Sequence, residues 1–136
     1  MKVIVDTAVW SLALRRRKGA AARAALELAE LIREGRVELL GAIRQELLSG
    51  VRERSVFELL RERLRSFPDL PLVAEDYELA AEYFNTCRRR GIQGSNTDLL
   101  LCAAAQRRDL AILTTDEDFR HFARILPIRL LASRDR

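Results

Sequence analysis

Five acids stand where carboxylates could do chemistry: Asp6, Glu46, Asp98, Asp116 and Asp118. Asp6 closes the β-branched run Val3-Ile4-Val5. Asp116 follows Ala111-Ile112-Leu113 after two threonines. Where two such strands are neighbours in a parallel sheet, both acids enter the crevice outside the strands' carboxyl ends, where open α/β sheets bind ligands. Thr7 and Thr114-Thr115 bring hydroxyls able to cap a helix or hold a carboxylate. Asp98 opens a segment that continues Leu-Leu-Leu-Cys-Ala-Ala-Ala, apolar all round and therefore expected between layers. Glu46 lies at the margin of a face built by Ile43 and Leu47, and Asp118 is two residues past Asp116. Each acid also has a plain structural reading. Asp6 and Asp116 suit helix N-caps. Asp98 suits a first turn, where the dipole favours a negative charge by ~0.3–1 kcal/mol. Glu46 suits the surface of a short helix.

Carboxylates gathered in one crevice repel, and their pKa values rise unless a cation neutralises them. The chain has one histidine, His121, and two cysteines, Cys87 and Cys102. An oxygen-ligated hard ion such as Mg²⁺ therefore suits the site better than zinc. Such an ion acidifies bound water and clamps a phosphodiester for in-line attack. The expected chemistry is metal-dependent phosphodiester hydrolysis, with arginines on the phosphate backbone.

The elements that hold these acids follow from hydrophobic periodicity and stop signals. Strands are expected at Lys2–Val5, Arg36–Leu40, Leu72-Val73, Ala111–Leu113 and Ile128–Leu130. Helices are expected from Thr7 to the basic run Arg15–Lys18, then at Ala20–Glu34, Ala42–Ser49, Glu53–Phe67, Glu75–Arg90, Thr97–Arg108 and Glu117–Ile125. In the helix from Ala20, the stripe Ala21, Ala25, Leu28, Leu31, Ile32 is expected inward and Glu27 outward. In the helix from Glu75, Tyr77, Ala80, Ala81 and Phe84 are expected inward. Trp10, Phe119, Phe122 and both cysteines are expected in the core, and His121 on the surface. Short strands alternating with helices give an α/β class, a three-layer α/β/α sandwich on a short, mostly parallel sheet. The 136 residues, without repeat or linker, suit one domain over 1–136.

Apolar residues make up 49% and charged residues 32%, which excludes a disordered or low-complexity chain. The net charge is +4, carried almost wholly by arginine, since Lys occurs only at positions 2 and 18. This permits nucleic-acid binding without requiring it. Arg15–Lys18 and Arg88–Arg90 are candidate phosphate contacts, or solvated helix ends. The longest apolar run, Leu99–Ala105, is far short of a bilayer span, and the N-terminal run is too short for a signal core. A cytoplasmic, reduced protein with no membrane partner is expected.

Four segments together resemble the PIN-domain ribonucleases, above all the VapC-type toxins of toxin–antitoxin pairs. They are Val-Ile-Val-Asp-Thr-Ala-Val-Trp at 3–10, Gln-Glu-Leu-Leu-Ser-Gly at 45–50, Asn-Thr-Asp-Leu-Leu-Leu-Cys-Ala-Ala at 96–104 and Leu-Thr-Thr-Asp-Glu-Asp-Phe at 113–119. The resemblance runs over essentially the whole chain. It implies that Asp6, Glu46, Asp98 and Asp116 are a catalytic acidic quartet binding Mg²⁺ or Mn²⁺, with Asp118 a supporting acid and metal ligand. It implies that Thr7 and Thr114 orient carboxylates, and that the substrate is RNA. It further implies a homodimer and a VapB-like antitoxin whose C-terminal segment covers the site. The stripes of the helices at 20–34 and 53–67 belong to the core or offer a groove to that antitoxin.

Other classes fit less well. A phosphoacceptor receiver needs an acidic pair at the first strand and a lysine near the last, and no lysine lies beyond Lys18. A haloacid-dehalogenase-type phosphatase needs Asp-x-Asp, where this chain reads Asp6-Thr7-Ala8. A non-catalytic PIN-like RNA-binding or scaffold domain remains the alternative. DNA offers the same phosphates as RNA.

Overall fold

The computed structural model describes residues 1–14 and 19–131. The basic run Arg15–Lys18 lies outside the described residues. The elements are β1 (Val3–Val5), α1 (Thr7–Ala13), α2 (Ala20–Arg33), β2 (Val37–Glu38), α3 (Gly41–Leu48), α4 (Arg54–Leu64), α5 (Ala74–Arg89), α6 (Asn96–Arg107), β3 (Ala111–Leu113), α7 (Asp118–Ile125) and β4 (Arg129–Leu130).

The sheet order is β2-β1-β3-β4, and every pairing is parallel. Val3, Ile4 and Val5 pair in register with Ala111, Ile112 and Leu113. All six are buried, as strands covered on both faces should be. The chain steps from β1 to β2 in one direction and from β2 past β1 to β3 in the other. Right-handed crossovers then carry α1 and α2 to one face and α6 and α7 to the opposite face. This is the expected α/β/α sandwich, and its point of reversal falls at β1 and β3.

The core is built by the sheet with Leu28 and Leu31 of α2, Leu99 and Leu101–Ala105 of α6, and Phe119 and Phe122 of α7. Each fully buried Leu or Phe contributes about 1.5–3 kcal/mol. Trp10 is buried, with its ring edge-on to Phe67 at 5.3 Å. Cys87 and Cys102 are buried thiols, and His121 is exposed.

Three expectations change. Leu72-Val73 is not a strand. A single bridge, Leu39 to Asp69, marks this stretch, and Val73 is the half-exposed N-cap of α5. Pro68 and Pro71 lack the amide hydrogens that a ladder needs. The buried stripe of α5 is Asp76, Ala80, Tyr83 and Cys87, while Tyr77 is 56% exposed. Asp76 turns the helix: it receives Arg107 Nη1 at 2.7 Å and Arg108 at 2.7 and 2.8 Å, which fastens α5 to the end of α6. In α2, Glu27 is buried with Ala24, Leu28 and Leu31, whereas Ile32 lies at the rim. The helix therefore sits rotated toward its Glu27 side. Among the described residues, no helix is long and apolar enough to cross a membrane.

Candidate active site

Asp6 leaves β1 at the N-cap of α1, so the end of the strand fixes its carboxylate. The backbone amide of Asp6 donates to the Leu113 carbonyl at 3.0 Å, which locks the two strand ends together. Its Oδ1 receives the Thr7 amide at 2.8 Å, and its Oδ2 receives the Thr114 hydroxyl at 2.9 Å. The Asp116 amide donates to Thr114 Oγ1 at 3.0 Å, and the Asp118 amide to Asp116 Oδ1 at 3.0 Å. One chain of hydrogen bonds thus runs from β1 to the start of α7, with Thr114 at its centre.

Asp98 enters from α6. It shares a capping box with Ser95: the Asp98 amide donates to Ser95 Oγ at 3.0 Å, and the Ser95 amide to Asp98 Oδ2 at 3.3 Å. The cap and crevice readings of this acid are therefore both true, because the box aims its carboxylate at the strand ends. Glu46 arrives from α3, where its Oε1 receives the Thr7 hydroxyl at 2.7 Å. That bond spans 39 residues and ties α3 to the first turn of α1.

Electrostatics show that the acids face one another. Burial lifts the Asp6 carboxyl to about 6. The Thr114 and Thr7 hydrogen bonds oppose the rise, and the charges of Asp98 and Asp116 add to it. Asp98 is raised too, mainly by burial against the opposing bonds from Ser95, with Asp116 and Glu46 repelling its charge. Below them, burial pushes the Cys102 thiol far up, so it is an inert floor to the crevice.

Asp6, Glu46, Asp98 and Asp116 are thus brought together from four elements. Asp118 lies at their edge. Its amide holds Asp116, and the residue lines a neighbouring open cavity with Gly91, Ile92, Gln93 and His121. On the other side, Asp116 lines a cavity of about 290 Å³ with Thr114, Thr115, Glu117 and Arg120. Asn96 and Thr97 instead edge an apolar groove with Tyr77, Ala81 and Leu100.

The donors of the quartet are all carboxylate oxygens, and their mutual repulsion is what a hard cation relieves. Among the described residues, no three Asp, Glu, His or Cys side chains close into a ready-made cage. Carboxylates that face one another without meeting at a point suit an ion that keeps several of its waters. The donor chemistry fits a divalent cation on those terms.

Sequence reasoning missed Asp76, whose partners lie 31 and 32 positions away. It also missed Arg44, which donates to Asp69 Oδ1 at 2.7 Å and to the carbonyls of Leu64 and Phe67. Those bonds clamp α3, and so Glu46, onto the end of α4. For Asp76 the available clue was an acid in helical register with the apolar residues Ala80, Tyr83 and Cys87.

A short parallel sheet with acids converging at β1, α3, α6 and the end of β3 is the arrangement of the PIN fold. The PIN domain family matches residues 3–125, and the chain belongs to it. No curated protein sequence matches the chain. Several solved structures share its fold. FitAcB from Neisseria gonorrhoeae is 22% identical, with a TM-score of 0.75 over 96% of this chain and 97% of that one. VapBC2 from Rickettsia felis, bound to a promoter DNA fragment, is 16% identical, with a TM-score of 0.76 over 96% and 98%. VapBC-5 from Mycobacterium tuberculosis, of the VapBC family of toxin–antitoxin systems, is 17% identical, with a TM-score of 0.68 over 96% and 97%.

Proposed function

We propose that this PIN domain is a divalent-metal-dependent endoribonuclease and the toxin of a toxin–antitoxin pair. The observation that carries the reading is the convergence of buried Asp6 with Glu46, Asp98 and Asp116 outside the ends of β1 and β3, tied together through the Thr7 and Thr114 hydroxyls. Such an arrangement is costly unless a cation joins it. Asp6, Asp98 and Asp116 hold the ion, directly or through water. When bound, Mg²⁺ or Mn²⁺ would supply acidified water and neutralise charge on the scissile phosphate. Glu46, oriented by the Thr7 hydroxyl, takes the proton of the attacking water. Thr114 keeps Asp6 and Asp116 in mutual register. Asp118 supports Asp116 through its amide, and its carboxylate is the fifth acid available to the metal.

The resemblance to solved toxin–antitoxin assemblies supports an antitoxin as partner; a homodimer as the working form and a cytoplasmic place of action belong to the same reading. RNA is the substrate of this reading.

The test is fragment analysis of total RNA with the purified protein, in Mg²⁺ and in EDTA. Cleavage is expected in Mg²⁺, absent in EDTA, and reduced by at least about 100-fold in Asp98→Asn. Asparagine keeps an oxygen for the Ser95 amide, so the capping box and the fold survive. Cleavage that persists in EDTA, or in folded Asp98→Asn, sinks the metal assignment. A protein that binds RNA in Mg²⁺ without cutting it is the scaffold alternative.

A further inference from the structure

An open cavity lies between the start of α7 and the loop before α6. Its volume is about 480 Å³, and its lining is Gly91, Ile92, Gln93, Asp118 and His121. Asp118 and His121 stand three residues apart on α7, hence on one face. Across from them runs the loop Gly91–Gly94, which leads directly into the Ser95–Asp98 capping box. Gly94 fixes that loop. A Cβ there would lie 2.5 Å from Leu99 Cδ2 and 2.7 Å from Phe122 Cζ, so only a glycine lets the loop press onto both α6 and α7. The wall carrying Gln93 and the wall carrying Asp118 and His121 are therefore held against each other before any ligand arrives.

The cavity adjoins the quartet through one hydrogen bond, from the Asp118 amide to Asp116 Oδ1. A strand whose phosphate lies over Asp98 and Asp116 places a neighbouring nucleotide at this opening. We propose that the cavity is a guanine subsite that selects the nucleotide beside the scissile bond. The proposal rests on the nuclease reading and adds a base preference to it.

The chemistry singles out guanine. Its N1–H and N2–H₂ donors lie side by side and match the two oxygens of the Asp118 carboxylate, which then serves the base and leaves the ion to Asp6, Asp98 and Asp116. Its O6 and N7 acceptors match N–H donors, which Gln93 and His121 supply. Adenine offers one amino donor beside a ring acceptor that a carboxylate repels. Uracil flanks its single N–H with two carbonyls, and cytosine sets its amino group beside an acceptor. The lining thus rejects three bases through unpaired or repelling groups as well as accepting the fourth.

His121 is the chain's only histidine, so the imidazole Hε1 proton gives one assignable NMR signal. The test titrates guanosine, adenosine, cytidine and uridine monophosphates into the protein in EDTA, where neither metal nor turnover contributes. The expected result is a saturable shift of the His121 signal with the guanosine nucleotide alone, abolished in Asp118→Asn and weakened in Gln93→Ala. In Mg²⁺, oligonucleotides with guanine at the site are expected to be cut at least about tenfold faster than those with adenine or inosine. Inosine lacks only the N2 amino group, so it isolates the second donor. Gln93→Ala is expected to shrink that ratio. Equal shifts with all four nucleotides, or a guanine shift that survives in Asp118→Asn, overturn the proposal. Cleavage without base preference overturns it while leaving the nuclease reading intact. Selective guanine binding without cleavage in Mg²⁺ keeps the subsite and removes the nuclease reading.

Discussion

Burial of Asp6 at the end of β1 lifts its carboxyl from 3.8 to about 6, and the consequence reaches stability as well as chemistry. Between those values the metal-free folded chain keeps a proton that the unfolded chain has released. Stability from this group is full below pH 3.8 and is lost as pH rises through about 6. A shift of this size corresponds to on the order of 2–3 kcal/mol. In EDTA, Asp6→Asn is expected to unfold at a higher temperature than the parent above pH 6, and the gap is expected to close toward pH 4. Mg²⁺ is expected to raise the parent's midpoint and leave that of Asp6→Asn almost unchanged. Thermal melts across pH, with and without the ion, check both statements. A parent midpoint that is flat over this window and indifferent to Mg²⁺ contradicts them.

The elements that carry the acids are joined by a second group of charges, remote from the chemistry. Asp76 is wholly buried on α5 and is held by Arg107 and Arg108, with Arg108 also donating to the Pro71 carbonyl at 2.8 Å. The Arg108 hydrogen bond holds the Asp76 carboxyl well below the usual carboxylate range, against the cost of burial. Its stabilising share is present above pH 3.8 and is lost as pH falls through the depressed value. Removing one partner of a buried pair costs about 3–5 kcal/mol. Asp76→Ala is expected to lose that much in urea denaturation. Metal-dependent cleavage is expected to remain in the folded fraction, since Asp76 touches none of the quartet. This group also marks where the sequence stops being legible. The strands before Asp6 and Asp116 could be read because each is a run of three apolar residues ended by polar ones, Asp6 in the first case and Thr114-Thr115-Asp116 in the second. The convergence of those acids follows from parallel pairing. The inward face of α5 could not be read, because its stripe contains an acid whose partners are a whole helix away. An apolar count chose Tyr77 and Ala81, which lie on the outer side. Leu72-Val73 failed for a different reason: between Pro71, which has no amide hydrogen, and the N-cap of α5 at Val73, no ladder is built beyond the single Leu39–Asp69 bridge.

Across the whole molecule the net charge of +4 is unevenly available. Arg36, Arg44, Arg107, Arg108 and Arg129 give their guanidinium groups to carboxylates and carbonyls of the chain itself. Arg88, Arg89 and Arg90 are exposed where α5 ends and the Gly91–Gly94 loop begins. Arg88 there lines a cavity with Phe84, Ile92, Gln93 and Gly94. Under the proposed nuclease reading these three are the candidates for phosphate contact, whereas the internally paired arginines hold helices in place. The two groups are expected to respond differently to salt. Each neutralised phosphate on a single strand contributes about 0.7 to the slope of log affinity against log salt. Replacing Arg88, Arg89 and Arg90 by alanine is expected to weaken RNA binding in Mg²⁺-free buffer and to flatten that slope by about 2, with the melting temperature nearly unchanged. Arg107→Ala is expected to lower the melting temperature and leave the slope alone. Fluorescence anisotropy of a labelled RNA at several salt concentrations separates the outcomes. A slope unmoved by the triple change means that the backbone of the strand crosses a different face of the sandwich.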